Sequence, residues 1–150
     1  MSDDPGPAGT PAIFISNRQS MAVDEEALVR LAQRSLSAEG LADVELSVSL
    51  VDEAEIEALH VRYMNESGPT DVLSFPLDAD DIDELGVRML GDVVIAPSVA
   101  AHNHPDDPAA EIGLLLVHDI LHLLGYDHDD DVDRAEMWAR QERYSGVRAS

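Results

Sequence analysis

The stretch "DPAAEIGLLLVHDILHLLGYDH" (residues 107–128) opens on a helix-starting pair, continues as an apolar run and ends among histidines. Asp107 can accept from the exposed N–H groups of a first helical turn, and Pro108 has no N–H to leave unpaired there, so the two predict a helix start. The pattern predicts a strongly apolar helix to about Leu124, where Gly125 ends it by taking the left-handed conformation. On that helix His118 and His122 are four residues apart, about 40° around the axis and about 6 Å along it, so they project from one face. A chain folded back at Gly125 brings His128 round as a third imidazole.

The string His-x3-His-x2-Gly-x2-His coincides with the zinc spacing of metzincin peptidases, and it uses three of the six histidines in the chain. Three neutral imidazoles with an open fourth position make the catalytic kind of zinc site, which acidifies a water to about pH 7 and makes hydrolysis the default reaction. One Zn2+ per chain is the expected cofactor, and Ni2+ suits the same nitrogen donors. Asp127 and the acids at 129 to 131 are placed to orient imidazole N–H groups. A peptidase of this pattern carries Glu after its first His as general base, whereas this chain has Asp119, one methylene shorter. Asp119 is kept as a catalytic candidate beside the zinc-bound water, against the blander expectation of an exposed helix carboxylate.

Composition narrows the chemistry. The chain has no cysteine, which excludes disulfides and thiolate metal sites and leaves nitrogen and oxygen ligands. At 150 residues and 45% hydrophobic it is sized for one domain with a single core. The longest apolar run, residues 112 to 117, is far short of the roughly 20 residues of a membrane span, and "MSDDPGPAGTP" has neither a basic nor an apolar region. The expectation is a cytoplasmic protein with no membrane and no DNA partner. Its formal charge of -22 comes from 31 acids against nine bases, all of them Arg. Such a surface repels polyanions and sets solubility more than reaction type.

Residues 1 to 11, rich in Pro and Gly, read as a disordered leader, and the domain is expected over 12 to 150. "AIFIS" (12–16) predicts a strand and "DEEALVRLAQRSLSAEG" (24–40) a helix with Leu28, Leu31 and Leu36 inward. "VELSVSLV" (44–51) alternates as a half-buried strand does. In the next helix Asp52 and Glu55 fit a capping pair, and Ile56, Leu59 and Tyr63 share a face. "TDVLSFP" (70–76) and "MLGDVVIAP" (89–97) predict two more strands around an acidic loop, each closed by Pro. A short helix from Pro97 fails by Pro105, leaving His102 and His104 in a break, and His60 belongs to a helix face. After an Asp-rich turn at 129 to 133 comes a last amphipathic helix with Met137, Trp138 and Gln141 grouped on its surface. The sum is an α+β single domain with a small mixed β-sheet of about four strands packed with helices, and a metal site at the end of a central helix.

With "VHDILHLLGYDH" (117–128), "GPTDVLSFPLD" (68–78) and "LGDVVIAP" (90–97) in the same order, the chain closely resembles the YbeY family of bacterial endoribonucleases from about Val44 to Tyr144. The resemblance implies an α+β fold with a mixed sheet and zinc on the residues matching His118, His122 and His128. It implies cleavage of single-stranded RNA in ribosomal RNA maturation, especially at the small-subunit 3′ end, and a part in ribosome quality control. Ribosomal RNA and small ribosomal subunit proteins are the implied partners.

This chain departs from the family pattern twice. Many members carry an Arg shortly before the TDVLSF strand, and its place here is taken by Met64, with Arg62 the nearest base. In an extended segment Arg62 and Met64 share a face; in a helix they point about 200° apart. The second departure is Asp119, where many members have Gly; an acid beside the metal repels a phosphodiester unless it is protonated or turned away. Candidate RNA contacts are Arg62, Ser74 and Arg134, and Asp71 joins Ser74 either in lining the cleft or in capping the sheet edge. Arg134, Arg140, Arg143 and Arg148 near the C-terminus are the densest source of guanidinium groups.

The leading expectation is a zinc-dependent endoribonuclease. The alternatives are a zinc metallopeptidase-like hydrolase and a non-catalytic ribosome-assembly factor whose metal staples the last helix to the core.

Overall fold

Side-chain caps start three of the helices. The Asp24 carboxylate accepts from the Ala27 N–H at 3.0 Å, Asp52 from the Glu55 N–H at 2.8 Å and Asp107 from the Ala110 N–H at 3.1 Å. Each satisfies an N–H that the first turn leaves without an intrahelical partner. The computed structural model describes residues 10–64, 72–76, 87–125 and 131–146. In chain order these form β1 (Ala12–Asn17), α1 (Glu25–Ala38), β2 (Val44–Leu50), α2 (Glu53–Met64), β3 (Val72–Pro76), β4 (Arg88–Ile95), α3 (Pro97–Asn103), α4 (Pro108–Leu123) and α5 (Asp131–Ser145).

Among the described residues the strands make one mixed sheet in the order β1-β2-β4-β3. The pairs β1–β2 and β2–β4 are parallel, and β3 closes the edge antiparallel to β4. The alternation of β2 is realised directly: Val44, Leu46, Val48 and Leu50 are buried while the residues between them are half-buried. β4 keeps the same face inward by a bulge. Glu45 pairs with Met89 and Leu46 with Gly91, which leaves Leu90 as an extra residue, and Gly91 takes a φ of 142° that side chains other than glycine's avoid. Leu90, Val93 and Ile95 therefore all reach one core despite their uneven spacing.

That core lies between the sheet and three helices. It joins Leu28, Leu31 and Leu36 of α1 and Met137 of α5 to Ile112, Leu116, Val117, Ile120, Leu121 and Leu123 of α4. Fully burying one such aliphatic side chain is worth about 1.5–3 kcal/mol, so α4 alone accounts for much of the stabilisation. A smaller cluster lies on the other side, where Ile56 of α2 and Val99 of α3 meet Leu73 of β3 and Val94 of β4. α4 runs close to α1 at Gly113, where a methyl group would stand 3.2 Å from Leu31 Cδ2. The single α+β domain with a mixed sheet is the architecture expected from the sequence.

Four local expectations are corrected. His102 lies inside α3 and His104 caps its C-terminus, 3.6 Å from a Glu111 carboxylate oxygen, so the break is shorter than expected. α5 already begins at Asp131, inside the expected turn, because Asp is favoured at a helix start as well as in a turn. Met137 and Gln141 are buried rather than on the surface, since α5 packs lengthwise on α4; Trp138 alone of the three is exposed. Asp119 is buried as well, as the next subsection details. Residues 1–9 of the expected leader and 77–86 of the acidic loop lie outside the described residues.

Candidate metal centre

The last two turns of α4 carry the candidate ligands. Because α4 is buried on most of its circumference, the apolar residues at 116, 117, 120, 121 and 123 leave a narrow outward strip. His118 is half-buried on that strip, and His122 one turn on is exposed. Their rings stack nearly parallel, with centroids 6.3 Å apart and planes 8° apart, close to the about 6 Å rise of four helical residues. The structure thus brings His118 and His122 together as a pair on one face. His128, the third expected ligand, lies outside the described residues, as do Asp127, Asp129 and Asp130. Among the described residues no group of three or more His, Cys, Asp or Glu side chains converges as a metal site.

Gly125 has a φ of 100°, and its N–H bonds to the His122 carbonyl at 3.1 Å. The chain leaves the helix there in the conformation that glycine alone adopts without strain, so the expected stop is present.

Two imidazoles at helical spacing suit a borderline divalent cation, and a contact from α5 strengthens the fit. His118 Nδ1 lies 2.9 Å from Gln141 Oε1. A carbonyl oxygen only accepts, so in this arrangement Nδ1 carries the hydrogen and Nε2 the lone pair that a metal requires. Gln141 is 8% exposed and reaches His118 from the neighbouring helix. Its burial differs from the surface position expected from the sequence. A signal was nonetheless present: residues 137, 141 and 144 recur at helical spacing, and the outer two are Met and Tyr.

α5 is held in register by a polar cluster at its far end. Arg140 donates to Glu39, which caps the C-terminus of α1, at 2.5 Å and to Glu136 at 3.0 Å, and the Tyr144 hydroxyl also donates to Glu39. The hydrogen bond to Glu136, with those to Tyr144 and Glu39, pushes the Arg140 guanidinium well above its ordinary pKa. It therefore stays cationic and ties α5 to α1.

The remaining candidates fall in different places. Asp119, expected as an exposed helix carboxylate, is 4% exposed, because position 119 turns toward the core side of α4. Arg62 is exposed on α2, and residue 64 belongs to the same helix, so the two positions are about 200° apart around its axis. By backbone position Ser74 lies on β3 and Arg134 on α5, but their side chains, with all of Asp71, lie outside the described residues.

Comparison with known proteins places this arrangement in a family. The family model for endoribonuclease YbeY matches residues 14–146. An endoribonuclease YbeY from Thermobifida fusca is 46% identical, over 93% of this chain and 96% of its own. Those from Streptomyces coelicolor and Rhodococcus opacus are 39% and 42% identical, each over 87% of this chain and over 86% and 78% of their own. Among solved structures, the solution structure of TM1509 from Thermotoga maritima is similar with a TM-score of 0.58 at 28% identity, over 89% of this chain and 86% of that one. The match spans both the sheet and the histidine-bearing helix, and the chain belongs to the YbeY family of endoribonucleases.

Proposed function

We propose that this protein is a metal-dependent endoribonuclease that cleaves single-stranded RNA during ribosomal RNA maturation, at the 3′ end of the small-subunit RNA, and serves ribosome quality control. The observation that carries the reading is the paired imidazoles of His118 and His122 on one face of α4, within a chain matched to an endoribonuclease family over residues 14–146. His118, His122 and His128 would hold one Zn2+, and Ni2+ would suit the same donors. When bound, the ion supplies Lewis-acid chemistry, activating water or polarising a phosphoryl oxygen.

The chain's own residues set up the site around that ion. α4 fixes the spacing of the His118 and His122 imidazoles, and Gly125 ends the helix in a left-handed conformation, three residues before His128, the proposed third ligand, in the sequence. Asp119, 4% exposed, offers almost no surface to an approaching phosphodiester. Arg62 on α2 and Arg134 on α5 are the cations proposed to meet RNA phosphates. Small ribosomal subunit proteins are the proposed partners that bring so acidic a chain to its RNA, in the cytoplasm. Among the described residues no helix is long and apolar enough to cross a membrane.

Metal analysis of the purified protein together with cleavage of a single-stranded RNA tests the reading. Wild type is expected to carry about one equivalent of metal, and His118→Ala or His122→Ala to cut RNA at least about 100-fold more slowly, beyond what loss of a supporting contact costs. Full cleavage by either variant overturns the metal-dependent reading. A 2′,3′-cyclic phosphate on the product would assign attack to the 2′-hydroxyl; a 5′-phosphate paired with a 3′-hydroxyl would assign it to water.

A further inference from the structure

We infer that Gln141 is a positioning residue of this site: it selects the Nδ1–H form of His118, and it does so without adding charge. The inference rests on the proposed metal reading for its consequence, but its first half is a property of the metal-free chain.

A histidine ring has two neutral tautomers, and only one leaves Nε2 able to bind a cation. His118 is half-buried at the α4–α5 contact, and the Gln141 amide oxygen stands 2.9 Å from its Nδ1. Gln141 is itself buried, between Met137, which is fully buried, and Tyr144, which bonds to Glu39. Its backbone is therefore placed by packing on one side and by the Arg140–Glu39 cluster on the other. A long side chain anchored in this way gives up less freedom in making its bond than an exposed one would. The docking of α5 is thereby converted into an orientation of one imidazole.

The choice of an amide matters in this chain. Carboxylates commonly take this supporting place behind a metal-bound histidine, and they raise the basicity of the ligand while adding a negative charge. With 31 acids in the sequence, a carboxylate would be the least surprising partner for Nδ1, yet the group 2.9 Å from it is an uncharged amide oxygen. An amide orients the ring and leaves the positive charge of a bound cation undiminished toward an incoming phosphodiester.

The experiment compares wild type with Gln141→Met, which keeps length and packing but accepts no N–H bond of comparable strength, and Gln141→Glu, which keeps the acceptor and adds charge. In the metal-free full chain, imidazole 15N shifts report the His118 tautomer, thermal melting reports the fold, and competition with a chelator reports zinc affinity. Wild type should show the Nδ1–H form. Gln141→Met should shift toward a tautomer mixture and bind zinc about 10- to 100-fold more weakly, with its metal-free melting temperature little changed. Gln141→Glu should restore the affinity yet cleave RNA more slowly than wild type, separating orientation from charge. A wild-type His118 in the Nε2–H form, or zinc affinity unchanged in Gln141→Met, overturns the inference. If wild type shows the Nδ1–H form but binds no zinc, the metal reading falls while the tautomer assignment to Gln141 stands. Should Gln141→Met fail to fold, the wild-type 15N shifts and Gln141→Glu decide by themselves.

Discussion

α4 and α5 lie side by side, but they are held by different forces. α4 is fixed by apolar burial: Leu116, Val117, Ile120 and Leu121 are wholly buried, and the helix would keep its place with few polar contacts. Among the described residues of α5 the one fully buried apolar side chain is Met137, and the helix is further held by Arg140, Gln141 and Tyr144. The difference teaches how labour is divided in the candidate site. The helix that carries the histidines is set by non-directional packing, which tolerates little movement, and the helix that adjusts them is set by directional bonds.

Removing a large side chain from α4 should show the contrast most strongly. Ile120→Ala, at a fully buried position between sheet and helix, is expected to lower unfolding stability by about 2–5 kcal/mol, read by denaturant titration. Met137→Ala should fall at the low end of the same range, about 2 kcal/mol, because a flexible side chain under one helix leaves a site that collapses more easily. Equal losses at the two positions would break the comparison, because α5 would then be as much a part of the core as α4. The smallest effect should come from Trp138→Ala. Half exposed on α5, it should change stability by no more than about 0.5 kcal/mol, and a larger loss would reveal a contact that the helix uses.

What the sequence disclosed follows the same division. Asp24, Asp52 and Asp107 were legible as caps, and Gly125 as a stop, since each acts on a turn within a few residues of itself. The alternation of β2 and the inward leucines of α1 were legible because one buried face imposes a period. The pairing of His118 with His122 needed only helix geometry. The burial of Gln141 was not legible, because it depends on which side of α4 receives α5, and no local rule encodes that contact. The start of α5 at Asp131 was hidden for a different reason: Asp serves a turn and a first helical turn equally well. The family motifs carried the functional expectation further than the residues could alone, yet they gave no hint of the amide behind His118.

The close passage of α4 over α1 at Gly113 has one more consequence. From that crossing to His118 and His122 the helix extends about 8 and 14 Å, so the crossing serves as a fulcrum and the histidines ride on the long arm. One added carbon at the pivot would press on Leu31, and a wedge of a few tenths of an ångström there would be magnified at the ring nitrogens. The aim of the imidazoles is thus calibrated in part by an atom that is missing well away from them.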